Sequence, residues 1–207
     1  MNAALVAGLL AGYGIAIPVG AVGTYLVVLT ARSGLKIGAY AALGVATADG
    51  LYALVAVLGG GRLIPVIEPI AVPLRWASMV VLLALAVHIG LSGIRNHRAS
   101  ANSEVTQPVV IGPVKAYVSL LGITLLNPMT VVYFAALVLG SEDMAAASGA
   151  EHVVFVAAAF AASASWQVLL AGGGAVLGKA LTGRRGRLVT ALASSALIAV
   201  LGLRLLW

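Results

Sequence analysis

Six stretches of this chain, roughly residues 3–31, 37–59, 76–94, 114–139, 152–178 and 188–206, run almost without charge over the length a helix needs to cross a bilayer, about 20 residues. Little of the 207-residue chain is left over for a soluble domain. Charged residues make up 9% of the sequence, against roughly a quarter in soluble domains, and mean hydropathy is +1.11. Lipid hydrocarbon offers backbone N–H and C=O groups no partner, so spans of this length must satisfy their own hydrogen bonds as helices. The sequence therefore predicts an all-α integral membrane protein of six transmembrane helices, with membrane lipid as its surroundings.

A net charge of +6 raises the prospect of nucleic-acid binding, but the cations lie between spans and not on one continuous face, so no nucleic-acid partner is expected. Their placement reports orientation instead. Nine of the twelve (Arg32, Lys36, Arg95, Arg98, Lys115, Lys179, Arg184, Arg185 and Arg187) follow the first, third and fifth spans, and loops rich in Lys and Arg stay in the cytoplasm. Both termini and the acidic loop holding Glu142, Asp143 and Glu151 are then predicted outside, with Arg62, Arg75 and Arg204 against the trend. Cysteine is absent, so disulfides and thiolate metal sites are excluded. The opening MNAALVAGLLAGYG lacks the cationic region of a cleaved signal peptide, and the first span is expected to be retained.

Prolines interrupt two of the spans. Pro18 lies in AIPVGAVG and Pro128 in TLLNPMTVV; with spans starting near residues 3 and 113, each is 15 positions in, near the bilayer midplane. Proline removes the hydrogen bond to the carbonyl four residues back, here Gly14 and Thr124, and disfavours helix at the residue before it. Both helices should kink or break at matching depth. A first half (1–95), a polar linker (96–112, containing SANSEVTQ) and a second half (113–207) follow, forming one transmembrane domain. Three spans per half is an odd number, so two similar halves must enter the membrane in opposite directions, the inverted-repeat plan of many secondary transporters. The alternative is a pair of kinks that merely bend the packing. Asn127 before Pro128 reads as the N-cap of a new half-helix running to about Leu139, whose N–H groups would face an anion; equally, Asn127 could bond the freed Thr124 carbonyl and repair the kink.

Asp49 is the only acid in an otherwise hydrocarbon window, GVATADGLYAL. A carboxylate at the bilayer centre costs on the order of 3 kcal/mol even on the mildest scale, and such groups mark proton relays or cation sites. Lys36 and Arg62 are each 13 residues away, about 20 Å along a helix, so its partner must come from another span or from a solute. Ala42, Ala46, Asp49, Ala53 and Ala56 recur at helical spacing, a small-residue stripe that should face another helix or a cavity. No Asp or Glu stands in another span, and the one Lys, Lys115, is at the very start of the fourth, which argues against a carboxylate cage for a divalent metal. Neither a metal nor a cofactor is expected.

Other polar residues give weaker signals. Ser163, Ser165 and Gln167 are expected on one side of the fifth span, lining the same cavity, though hydroxyls often bond their own helix. Tyr52, one turn beyond Asp49, and Tyr133, beyond the second break, are candidate ligand contacts whose commoner role is packing. His88 reads as structural. Gly8-x-x-x-Gly12 and Gly174-x-x-x-Gly178 permit close helix approach. RLIPVIEPIAVPLR, residues 62–75, is expected to be a stiff external connection. The patterns H-E-x-x-H and G-x-S-x-G are missing, and no enzymatic activity is expected.

The interrupted first helix with Pro18, the run ARSGLKIGAYAALGVATADGLYAL with Gly34, Gly38, Gly44 and Asp49, and LLNPMTVVYF with Asn127 and Pro128 together resemble the LysE/RhtB family of bacterial amino-acid exporters over nearly the whole chain. The resemblance implies a multi-pass protein of the bacterial inner membrane, exporting amino acids or related small cationic or zwitterionic solutes on the proton motive force. Pro18 and Asn127-Pro128 would be its helix breaks and Asp49 its intramembrane acid. The family's usual Pro-Gly-Pro is here Pro18-Val19-Gly20, and the lysine that often follows Asn-Pro is Met129. The expected substrate-binding set is Pro18, Gly20, Asp49, Tyr52, Asn127, Pro128, Tyr133, Ser165 and Gln167, with Asp49 also coupling protons. Export of an inorganic cation, or a non-transporting scaffold, stand as alternatives, and homo-oligomerisation is left open.

Overall fold

The computed structural model describes residues 1–18, 20–59, 63–99, 111–127, 130, 133–134, 147–180 and 184–203. Among the described residues there are seven long helices and no strand: α1 (Asn2–Ala16), α2 (Ala21–Ser33), α3 (Leu35–Gly59), α4 (Leu63–Ala99), α5 (Pro113–Leu125), α6 (Gly149–Ala180) and α7 (Arg184–Leu203). Leu35–Gly59, Val72–Arg95 and Gly149–Gly178 are each long and apolar enough to cross a membrane. α1 and α2 make a fourth crossing if taken as one span bent by 75° at the break. α5 and Ala191–Leu201 are shorter apolar helices; most of the predicted fourth span beyond Asn127, and the end of the sixth, lie outside the described residues.

Local chemistry sets the helix ends. Gly34, at φ +85°, stops α2 and starts α3 in a one-residue reversal, its N–H donating to the Thr30 carbonyl at 2.8 Å; a positive φ there suits glycine and few other residues. Ser148 and Glu151 form a reciprocal cap on α6: the Ser148 N–H donates to Glu151 Oε2 at 3.0 Å, and the Glu151 N–H to Ser148 Oγ at 3.4 Å. α5 opens on Pro113, whose missing N–H costs nothing in the first turn.

The stretch 62–75, expected as a stiff connection, is largely helical. From Leu63 onward this stretch is the first part of α4, which runs 37 residues and carries Pro69 and Pro73 inside it. These two prolines are one turn apart, so the carbonyls they free, on Pro65 and Pro69, sit on a single helix face and leave the other hydrogen bonds intact.

α6 is the element around which the others gather. α1 and α2 both run parallel to it: a Cβ on Gly12 would come 2.8 Å from that of Ala162, and one on Gly178 would come 2.8 Å from the Ala31 Cα. Both G-x-x-x-G pairs thus lie where backbones meet, Gly8 and Gly12 against α6, Gly174 and Gly178 against α2. α3, reversed by Gly34, runs antiparallel to α6. α5 runs parallel to α3, with Gly44 against Tyr117 and Leu121 and Tyr52 bonded to Leu125. α7 runs antiparallel to α4, with Gly93 against Ala191 and Gly90 against Ser195. Large apolar side chains such as Leu10, Leu58 (75% exposed), Leu169 and Val176 point outward, while alanine and glycine fill the contacts, as expected of helices whose outer solvent is lipid.

Candidate functional site

Buried apolar side chains form two clusters, one including Leu26, Val45, Leu120, Ala171 and Ile198, the other including Ala11, Ala53, Phe134, Phe155 and Ala159. The chain passes between them five times, and each passage is polar or broken; that between Val57 and Leu82 carries the buried Ser78. Between Ala11 and Ala21 lies the break at 17–20; between Val45 and Ala53 lies Asp49; between Leu120 and Phe134 lies Asn127; between Ala159 and Ala171 lie Ser163 and Gln167. Groups that hydrocarbon cannot solvate are gathered into one layer.

Asp49 is 3% exposed and has its partner on another span: the Ser163 hydroxyl, itself fully buried on α6, donates to Asp49 Oδ2 at 2.6 Å. Ala42, Ala46, Ala53 and Ala56 are buried with it, so the stripe faces protein along its length. The hydroxyl gives the carboxyl one hydrogen bond and supplies no charge.

The second break is held together by its neighbours. The last turn of a helix leaves carbonyls without intrahelical donors. Here the Asn127 N–H donates to the Thr124 carbonyl at 3.0 Å, the Tyr52 hydroxyl to the Leu125 carbonyl at 2.5 Å, and the Ser78 hydroxyl to the Leu126 carbonyl. At the first break, α2 starts at Gly20 (φ −94°, ψ −164°) with no side-chain cap, and Pro18 and Gly20 are both exposed. The two broken segments meet: Tyr133 lies against Gly14, where an added Cβ would overlap the tyrosine hydroxyl and fall 3.3 Å from Cζ.

Several candidate residues are thereby placed differently from the sequence reading. Tyr52 donates to the end of α5, so its hydroxyl hydrogen is already committed. Ser165 parts from Ser163 and Gln167, because positions two apart on a helix point about 160° away from each other. Ser163 and Gln167 are buried, whereas Ser165 is exposed, bonded to Tyr13 of α1 at 2.9 Å and to the Ala162 carbonyl at 2.8 Å. Pro128, Met129 and the half-helix expected to reach Leu139 lie mostly outside the described residues. Two contributors went unread in the sequence. Ser78 closes the end of α5, and only its position in a membrane helix singled it out. Trp166, three residues after Ser163, carries a buried indole nitrogen without a hydrogen-bond partner among the described residues.

The model of one protein family, LysE type translocator, matches residues 14–207. Curated proteins and solved structures give no match. The matched region takes in both breaks, Asp49 and all of α6. The chain therefore belongs to the LysE type translocator family, a family of transporters, and is a multi-pass membrane protein.

Proposed function

We propose that this protein exports amino acids or related small cationic or zwitterionic solutes from the cytoplasm across the bacterial inner membrane, in exchange for protons. The observation that carries this reading is the Asp49–Ser163 contact: a carboxyl in the polar layer between two apolar clusters, reached by a hydroxyl and by no cation among the described residues. A solute ammonium would supply the missing positive charge, while its carboxylate approaches the second break at Asn127-Pro128. A proton arriving from outside would neutralise Asp49, weaken the ammonium contact and favour release.

Two opposed three-helix halves would provide alternating access. Under an exchange of first for fourth span, second for fifth and third for sixth, the α1–α6 contact corresponds to the α5–α3 contact, and both pairs are parallel. The α3–α6 and α4–α7 pairs map onto themselves, and both are antiparallel. This pattern supports six spans in an inverted repeat, and the cation-rich loops after the first, third and fifth spans support both termini outside. In proteoliposomes screened with labelled amino acids under an imposed pH gradient, wild-type protein should give gradient-driven flux. Asp49→Asn, folded as judged by gel filtration, should lose the coupling to pH and at least 100-fold in rate, taking about 3 kcal/mol as the scale of an intramembrane charge contact. Wild-type coupled rates in that variant would remove Asp49 from the mechanism.

A further inference from the structure

Two buried polar atoms without a partner among the described residues are neighbours in sequence: the indole Nε1 of Trp166 and the side-chain Oε1 of Gln167. A buried donor or acceptor left unmade is costly, and two side by side call for an explanation. On α6 they stand three and four residues after Ser163, the two spacings that place side chains next to it on the following turn. They therefore flank the face that meets Asp49. Gln167 is 5% exposed. Their level in the fold is also marked. Gly12 of α1 meets Ala159 and Ala162, and Val27 of α2 meets Gly174, so Trp166 and Gln167 fall in the interval of α6 that runs past the break at 17–20.

The nearby hydroxyls have already spent their hydrogens: Ser163 on Asp49, Tyr52 on Leu125, Ser78 on Leu126 and Thr124 on Leu120. Beside these committed hydroxyls, the Gln167 Oε1 is an acceptor and the Trp166 N–H a donor with no partner among the described residues. A zwitterion has the complementary pattern, N–H donors at one end and acceptor oxygens at the other.

We propose that Trp166 and Gln167 are a solute-binding pair. The Gln167 carbonyl takes an N–H of the ammonium that Asp49 neutralises, and the Trp166 N–H donates to the solute carboxylate. The assignment rests on the transport reading above and deepens it by naming which side chain recognises which end of the solute.

The test crosses side-chain changes with changes in the ligand. Inhibition constants for L-lysine, cadaverine (no carboxylate) and 6-aminohexanoate (no α-ammonium) are measured against labelled lysine flux in wild type, Trp166→Phe and Gln167→Met, both of which keep size and remove the polar atom. Trp166→Phe should weaken lysine and 6-aminohexanoate roughly tenfold, the scale of one charge-assisted hydrogen bond, and leave cadaverine unchanged. Gln167→Met should weaken lysine by a similar factor and leave 6-aminohexanoate unchanged. Equal losses for all three ligands in either variant would overturn the assignment, since a structural defect does not distinguish them. Absence of lysine flux in the wild type would count against the transport reading for this solute, and binding titrations of the same three ligands to the purified protein then decide the pair on its own.

Discussion

The two interruptions near the middle of the membrane begin from the same chemistry, a proline that cannot donate, and end differently. At the second, three carbonyls at the end of α5 are each met by a donor, from Asn127, Tyr52 and Ser78, drawn from its own chain, α3 and α4. At the first, α2 begins on Gly20 without a side-chain cap, in exposed surroundings. A helix end whose orphan groups are met from three directions is fixed in place; one that lacks a side-chain cap is held by fewer contacts. We infer that the second break is an anchor and the first a hinge, with Gly14 and Tyr133 as the point where they touch.

The largest effect that can test this pairing comes from filling the point of contact. In Gly14→Ala the new methyl overlaps the Tyr133 hydroxyl, and overpacking of this kind costs about 1–3 kcal/mol. We expect roughly tenfold or greater loss of flux, with the protein still monodisperse. Tyr133→Phe in the same chain removes the overlapping oxygen and should restore most of the rate. If the double variant is no better than Gly14→Ala, the two breaks do not communicate through this contact.

What was legible in the sequence shares one property: it contrasts with a hydrocarbon background. Pro18 lies in the break between α1 and α2, Asp49 cannot be solvated by its own span, and G-x-x-x-G pairs mark close approach on whichever helix carries them. What was not legible depends on partners distant in sequence. The Tyr52 and Ser78 hydroxyls find carbonyls 73 and 48 residues away, and no local pattern announces a tyrosine that closes another helix. Ser165 was misplaced by a periodicity that a stricter count of 100° per residue corrects. The stiff connection read from the prolines at 62–75 did not announce a helix, although the one-turn spacing of Pro69 and Pro73 is one that spares a helix most of its hydrogen bonds.

Unpinning the anchor should cost stability more than recognition. Tyr52→Phe leaves the Leu125 carbonyl without its donor, and Ser78→Ala does the same to Leu126. Each should lower stability by about 1–3 kcal/mol, the penalty of an unmet buried acceptor, read as a drop in detergent-solubilised Tm. Substrate KM should stay within about twofold, because neither hydroxyl has a hydrogen left to give a solute. A large rise in KM with unchanged Tm would reverse the assignment, turning the second break into a binding element.

The smallest effect belongs to the hinge. A Cβ placed on Gly20 meets nothing within 4 Å, and its backbone angles of −94° and −164° are open to any residue. Gly20→Ala therefore changes only the quality of an N-cap, worth roughly 0.5–1 kcal/mol at most, and keeps every backbone N–H where it was. Transport rate and KM should move by less than about twofold. The contrast with Gly14 is the informative part, since the two glycines stand six residues apart on either side of Pro18. If Gly20→Ala proved as damaging as Gly14→Ala, the surroundings of Gly20 would have to close during the transport cycle, and the first break would be a moving contact rather than an open end.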